Sequence, residues 1–190
     1  MKAVDSKAVD SRVSFAELQQ WPDTPYRYRY ELYDGEVIVV ALPFSRHQRV
    51  AQHIGQVLID YETSTGGLVF SVPIDIVFSD YDVLGPDLVF FRKERRHLVK
   101  MREATRAAPD LAVEVLSRST ARRDRGRKME VYAQYAVPEY WIVDPVANTL
   151  EIYVLHGGAY SLAGEFDSDS DVQSPTLDGL SFNTCRIFAE

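Results

Sequence analysis

Pro109-Asp110-Leu111-Ala112-Val113-Glu114-Val115-Leu116-Ser117, then a basic helical segment, then Tyr140-Trp141-Ile142-Val143-Asp144, is the stretch that decides the fold. Each apolar run is short enough for a buried strand. Strand, helix and strand in that order suit a right-handed parallel crossover. One acid, Glu114, interrupts the first run. A charge inside such a strand is costly to bury without a partner, so Glu114 needs an explanation.

Upstream, His47 to Thr63 places Val50, Ile54, Val57, Leu58 and Tyr61 at helical spacing, and Gly66-Gly67 ends the helix. Leu68 to Phe78 reads as a strand, Ser79-Asp80-Tyr81-Asp82 as a turn, and Pro86 to Phe91 as a short apolar strand. These connections suit an antiparallel meander leading into 111–116. The helix after the central strand is capped by Ser119 or Asp124, carries Met129, Tyr132, Ala133, Tyr135 and Ala136 on one face, and stops at Pro138. The core order is αβββαβ: an α/β (α+β) fold with a mixed β-sheet flanked by helices. An N-terminal β-hairpin, Tyr28 to Ala41, turns at Asp34-Gly35. A C-terminal hairpin turns around His156-Gly157-Gly158, and a strand and turn from Leu177 to Phe188 close the chain. Ser14 with Glu17 forms a capping box for a short helix. Lys2-Ala3-Val4-Asp5-Ser6 is repeated at once as Lys7-Ala8-Val9-Asp10-Ser11. Residues 1–13 read as a mobile tail before a single domain, 14–190.

The apolar share of 46% and charged share of 26% are those of an ordinary globular domain. Apolar runs such as Val37 to Leu42 fall far short of the ~20 residues that span a membrane. No apolar signal core follows Met1-Lys2-Ala3-Val4-Asp5, and the single cysteine, Cys185, excludes an internal disulfide. Together these favour the cytoplasm and no membrane partner. Cys185 reads as a small buried side chain. The net charge of -7 is unevenly spread: residues 92–128 hold 13 Lys/Arg against 5 Asp/Glu, and the remainder 8 against 23. This gives either a local basic surface able to meet nucleic acid or a solvated helix and loop.

Four acids lie in or at the ends of strands: Asp75, Asp87, Asp110 and Glu114. Asp110 and Glu114 share a strand face but stand ~13 Å apart, too far to share an ion. If 86–91 and 111–116 are antiparallel neighbours, Asp87 lies beside Glu114 and Asp110 beside Arg92. Asp110 then reads as a turn residue, and Asp75 as either surface or site. Two carboxylates converging from adjacent strands make a hard oxygen site suited to Mg²⁺ or Mn²⁺. Such an ion activates water and stabilises charge developing on phosphate. Lys128 shares a helical stripe with Tyr132 and Tyr135, so it is either a cation directed at the sheet or one more solvated lysine.

Pro86-Asp87, Glu114-Val115-Leu116-Ser117, the run from Ser119 to Lys128, Tyr132-Ala133 and Pro138-Glu139-Tyr140-Trp141-Ile142-Val143-Asp144-Pro145 resemble the Uma-two family of the PD-(D/E)XK nuclease superfamily. Asp34-Gly35-Glu36, His47-Gln48 and Ser174-Pro175-Thr176-Leu177-Asp178-Gly179-Leu180 add to the resemblance. It implies a restriction-endonuclease-like fold and metal-dependent hydrolysis of DNA phosphodiester bonds. Asp87 takes the place of the strand aspartate and Glu114 that of the second acid. The superfamily lysine normally follows the second acid by two residues. Leu116 stands there, so the resemblance moves that role to Lys128. The catalytic set is therefore Asp87, Glu114 and Lys128, with Mg (or Mn) held by Asp87 and Glu114. His47, Glu36 and Asp75 are second-tier candidates, and Arg122, Arg123, Arg125 and Arg127 are candidate phosphate contacts. Tyr140 and Trp141 read as core. A homodimer is expected, because many nucleases cut two strands as pairs. The competing reading is a non-catalytic nucleic-acid-binding or assembly module on the same fold.

Overall fold

The computed structural model describes residues 12–21, 28–41 and 44–189. The chain begins with α1 (Phe15–Leu18), whose capping box is formed as expected by Ser14 and Glu17. β1 (Tyr28–Tyr33) and β2 (Glu36–Ala41) form the first hairpin, with Tyr33 opposite Glu36. Its two turn residues have positive φ, 48° at Asp34 and 78° at Gly35, as a tight two-residue hairpin demands. α2 (Ser45–Thr65) ends on Gly66 in the left-handed region, φ 76°. β3 (Leu68–Phe70), β4 (Ile76–Val77), β5 (Val83–Leu84), β6 (Leu88–Phe91) and β7 (Leu111–Val115) follow. α3 (Ala121–Arg123), a π-helical turn (Asp124–Lys128) and α4 (Met129–Gln134) form one continuous helical segment. β8 (Glu139–Asp144), β9 (Thr149–His156), β10 (Ala159–Phe166), β11 (Asp171–Gln173), β12 (Ser181–Asn183) and α5 (Cys185–Phe188) complete the chain.

The main sheet has six strands in the order β10-β9-β8-β7-β6-β3. Only β7 and β8 in it run parallel, joined by the helical crossover. Their opposite faces are covered by different elements. Val50, Ile54, Val57 and Leu58 of α2 pack on Leu88, Phe90, Val113 and Trp141, and the C-terminal segment closes this core through Leu177, Leu180 and Phe182. Each fully buried side chain of this kind contributes ~1.5–3 kcal/mol. On the other face Val131, Tyr132 and Val137 pack on Ala112, Leu116, Tyr140 and Ile142. Glu114 belongs to this second face, because alternate residues of a strand share a side. Tyr140 and Trp141 are both fully buried, as expected of core residues.

A second sheet, β2-β1-β5-β4, stands beside the first. It corrects the reading of 68–78 as one strand. β3 pairs with β6 in the main sheet, whereas β4 pairs with β5 in the other. Pro73 lies between them, and a proline cannot donate to a sheet ladder. β5, between the turn and Pro86, supplies the extra strand. Three further expectations change. The helix cap is neither Ser119 nor Asp124 but Thr120, and Asp124 lies inside the helical segment, buried. Cys185 is exposed at the start of α5. The expected mobile tail lies mostly outside the described residues. Its last two members pack on the hairpin turn: the Val13 amide donates to the Gly35 carbonyl at 2.9 Å, and Arg12 pairs with Asp34 at 3.1 Å. Among the described residues no helix is long and apolar enough to cross a membrane.

Candidate active site

The register of β6 and β7 brings the two strand acids together. Leu88 lies opposite Val113 in antiparallel pairing, so Asp87, one residue earlier, falls beside Glu114. The same register sends Asp110 to the far end. There its carboxylate accepts from the Arg92 amide (2.9 Å) and pairs with Arg95 (2.9 Å), so it is a buried structural acid rather than a simple turn residue. Asp87 and Glu114 line a cavity of about 80 Å³ together with Arg29, His47, Thr120 and Lys128.

Each strand acid is held through one oxygen. Asp87 Oδ2 accepts from the Val115 amide at 2.9 Å and lies 3.1 Å from His47 Nε2. Glu114 Oε1 accepts from the Tyr132 hydroxyl at 2.7 Å and lies 2.8 Å from Lys128 Nζ. Asp87 Oδ1 and Glu114 Oε2 have no protein donor among the described residues. Lys128, 1% exposed, also lies 3.2 Å from Glu31 Oε1 and 3.7 Å from Asp124 Oδ1. It is therefore the directed cation and not a solvated one. The helical segment delivers it: Tyr132 at i+4 continues its stripe onto Glu114, while Tyr135 at i+7 donates to Asp82 at 2.8 Å. Leu116, where a strand lysine would stand, is buried beneath the helical segment.

Glu31 and Asp124 enlarge the buried charge. Glu31, fully buried on β1, accepts from the Tyr33 hydroxyl (2.8 Å) and the Gly85 amide (3.2 Å). It also lies 3.4 Å from Arg29 Nη2 and 3.7 Å from Arg123 Nε. Both carboxylate oxygens of Asp124 are buried without a hydrogen bond, as is His47 Nδ1. Four acids thus face three permanent cations, Lys128, Arg29 and Arg123, and compensation is unequal. Burial would raise the Glu31 carboxyl, but Lys128 and Arg29 hold it below its usual range. Burial would likewise raise Asp87, but His47, Arg29 and Lys128 bring it down. Glu114 goes the other way, pushed up to about 8 by burial, with Asp124, Asp87 and Glu31 adding to the rise against Lys128. Burial would lower the Lys128 ammonium, but Glu114, Glu31 and Asp124 raise it above its ordinary value, so it stays charged.

These residues fit a hard divalent cation. Two carboxylates line one cavity, and burial with neighbouring acids holds one of them, Glu114, above the ordinary carboxylate range. Among the described residues no three His, Cys, Asp or Glu side chains form a ready-made cage. Mg²⁺ ordinarily keeps several waters and takes only one or two carboxylates, so two are enough.

The other candidates separate. His47 joins the site through Asp87. Glu36 is exposed and pairs with Arg127 on the outer surface. Asp75 is exposed and lines a different groove, with Phe15, Phe70 and Met101. The basic run is largely neutralised within the protein: Arg123 turns inward to Glu31, Arg125 makes a paired contact with Glu151 (2.5 and 2.6 Å), and Arg127 meets Glu36 and the Tyr33 carbonyl. Of the four arginines, Arg122 alone makes no such pair among the described residues. Glu31, Asp124, Arg29 and the Tyr132 hydroxyl were not singled out from sequence. Arg29, Glu31 and Tyr33 alternate along β1, so a shared strand face was the available signal.

A structural neighbour is the crystal structure of a "putative nuclease belonging to DUF820" from Anabaena variabilis. It aligns with a TM-score of 0.75 at 18% identity, over 93% of this chain and 98% of that one. Among curated proteins nothing matches. The family described as "Putative restriction endonuclease", Uma2, matches residues 15–185. With αβββαβ order, a mixed sheet and nearly its whole length matched, the chain belongs to the Uma2 family of restriction-endonuclease-like proteins.

Proposed function

We propose that the protein is a Mg²⁺- or Mn²⁺-dependent endonuclease that hydrolyses DNA phosphodiester bonds. The observation that carries this reading is the convergence of Asp87 and Glu114 on one cavity with the Lys128 ammonium 2.8 Å from Glu114. Asp87 and Glu114 would hold the ion. When bound, it lowers the pKa of a coordinated water and neutralises charge developing on the phosphate.

The chain's own residues do the positioning. The Val115 amide and His47 fix the Asp87 carboxylate from behind, and Tyr132 and Lys128 fix Glu114. Lys128 stays protonated, so it acts by its charge on the phosphate and the attacking oxygen rather than by exchanging protons. Arg122, which has no ion pair among the described residues, meets the DNA backbone.

Cleavage of plasmid DNA with Mg²⁺ or Mn²⁺, lost in Asp87→Ala and Glu114→Ala, is the expected result. Equal cleavage by wild type and both variants would remove the assignment. Salt-dependent DNA binding without turnover, unchanged in Glu114→Ala, would point instead to a non-catalytic binding module.

A further inference from the structure

Arg29 is a cavity-lining cation whose donors are not used up. Its Nε is buried without a hydrogen bond, and its one ion pair among the described residues, from Nη2 to Glu31, is long at 3.4 Å. Glu31 does not depend on it, since the Tyr33 hydroxyl, the Gly85 amide and Lys128 already engage both of its oxygens. A buried donor without an acceptor is costly, and its persistence asks for a partner that arrives from outside.

The surroundings specify that partner. Gly85 directly precedes Pro86-Asp87, and a side chain there would crowd the guanidinium: a Cβ would stand 3.3 Å from Arg29 Cζ and 3.4 Å from Nε and Nη1. The absent side chain lets the guanidinium lie along the backbone that leads into Asp87. Ser117 and Thr120, with hydroxyls 3.0 Å apart, share the same wall and offer neutral donors. The cavity, about 80 Å³, is far below the ~300–1,000 Å³ of pockets that enclose whole ligands. It admits a small group rather than a base and its sugar. Small, anionic and oxygen-rich describes a phosphoryl group, and the planar fork of an arginine suits two of its oxygens.

We propose that Arg29 binds a phosphoryl oxygen of the substrate in this cavity, so that the site grips the nucleic-acid backbone and not the bases. This rests on the nuclease reading for the identity of the substrate, but anion binding can be measured by itself. The competing account is that Arg29 only neutralises Glu31.

The test is a ³¹P NMR titration of inorganic phosphate into wild type, Arg29→Met and Arg29→Lys, with and without Mg²⁺, each variant checked for cooperative unfolding. Saturable binding by wild type, weakened roughly tenfold or more in Arg29→Met and partly restored in Arg29→Lys, is expected, since a charge-assisted pair is lost and then half replaced. No saturable binding by wild type, or equal affinity in wild type and Arg29→Met, overturns the proposal. Should Arg29→Met fail to fold, Arg29→Lys keeps the charge facing Glu31 and carries the test: severalfold weaker binding supports the fork, and unchanged affinity overturns it. DNA cleavage by wild type with phosphate affinity indifferent to Arg29 removes the clamp and leaves the nuclease reading standing. Arg29-dependent phosphate binding without any DNA cleavage does the reverse.

Discussion

Glu114→Gln should make the metal-free protein more stable while abolishing cleavage, and the gain should depend on pH. Burial and three neighbouring acids raise the Glu114 carboxyl from its ordinary 4.5 to about 8. Between those values the folded chain keeps a proton that the unfolded chain has lost, so raising the pH favours unfolding. At ~1.4 kcal/mol for each tenfold change in proton affinity, the accumulated penalty above pH 8 is about 5 kcal/mol. Glutamine carries no such penalty. It keeps an oxygen for the Tyr132 hydroxyl, and Lys128 keeps Glu31 at 3.2 Å. Urea unfolding in EDTA across pH 5 to 9 should therefore show the variant gaining on wild type by ~1.4 kcal/mol per pH unit, levelling off above about pH 8. Mg²⁺ at pH 8 should recover part of the deficit in wild type, because a ligand that binds only the folded state stabilises it. A stability gap that does not change with pH, or one that closes as pH rises, would refute the reasoning that Glu114 is held short of positive charge.

Other outcomes follow from particular contacts. Glu139 is fully buried and accepts from Trp141 Nε1 (2.6 Å), the Ser174 hydroxyl (2.8 Å), and the Thr176 amide (3.0 Å) and hydroxyl (2.7 Å). Glu139→Ala should cost about 3–5 kcal/mol in chemical denaturation, since several buried donors lose their acceptor at once. Gly67→Ala would put a Cβ 2.2 Å from Phe90 Cζ and should lower the melting temperature, whereas Gly126→Ala meets nothing within 4 Å and should raise it slightly. Arg122→Ala should reduce the slope of log affinity for DNA against log salt by about 1, and Arg125→Ala by less, because Arg125 is already committed to Glu151.

The pairing of Asp87 with Glu114 was legible because a strand register follows from the order of elements, and the register then decides which acids meet. Asp110 went to Arg92 for the same reason. Lys128 was legible only in direction, as part of a helical stripe. Glu31 was not legible as a site residue. It lies in the alternating hairpin strand Tyr28–Tyr33, and such a strand looks half-solvated until Arg123 and Lys128 of the helical segment are seen to reach that face. Asp124 was hidden by the helix itself: a residue read as a cap sits inside a π-turn, and no local pattern announces one. The arginines misled in a related way. A run of positive charge reads as a surface, but Arg123, Arg125 and Arg127 find carboxylates far away in sequence.

The π-turn from Asp124 to Lys128 sets how far the helical segment reaches. Glu114 takes its two contacts from Lys128 and Tyr132, one on each side of where π geometry returns to α. Removing a single residue upstream of Lys128 would turn everything beyond it by about 100° around the axis, the angular step of an α-helix. The ammonium and the phenol would then face different neighbours, although every amino acid that matters would still be present. This stretch of chain can therefore vary in composition along its outer side but not in length, and among related sequences it should accept substitutions freely and insertions or deletions hardly at all.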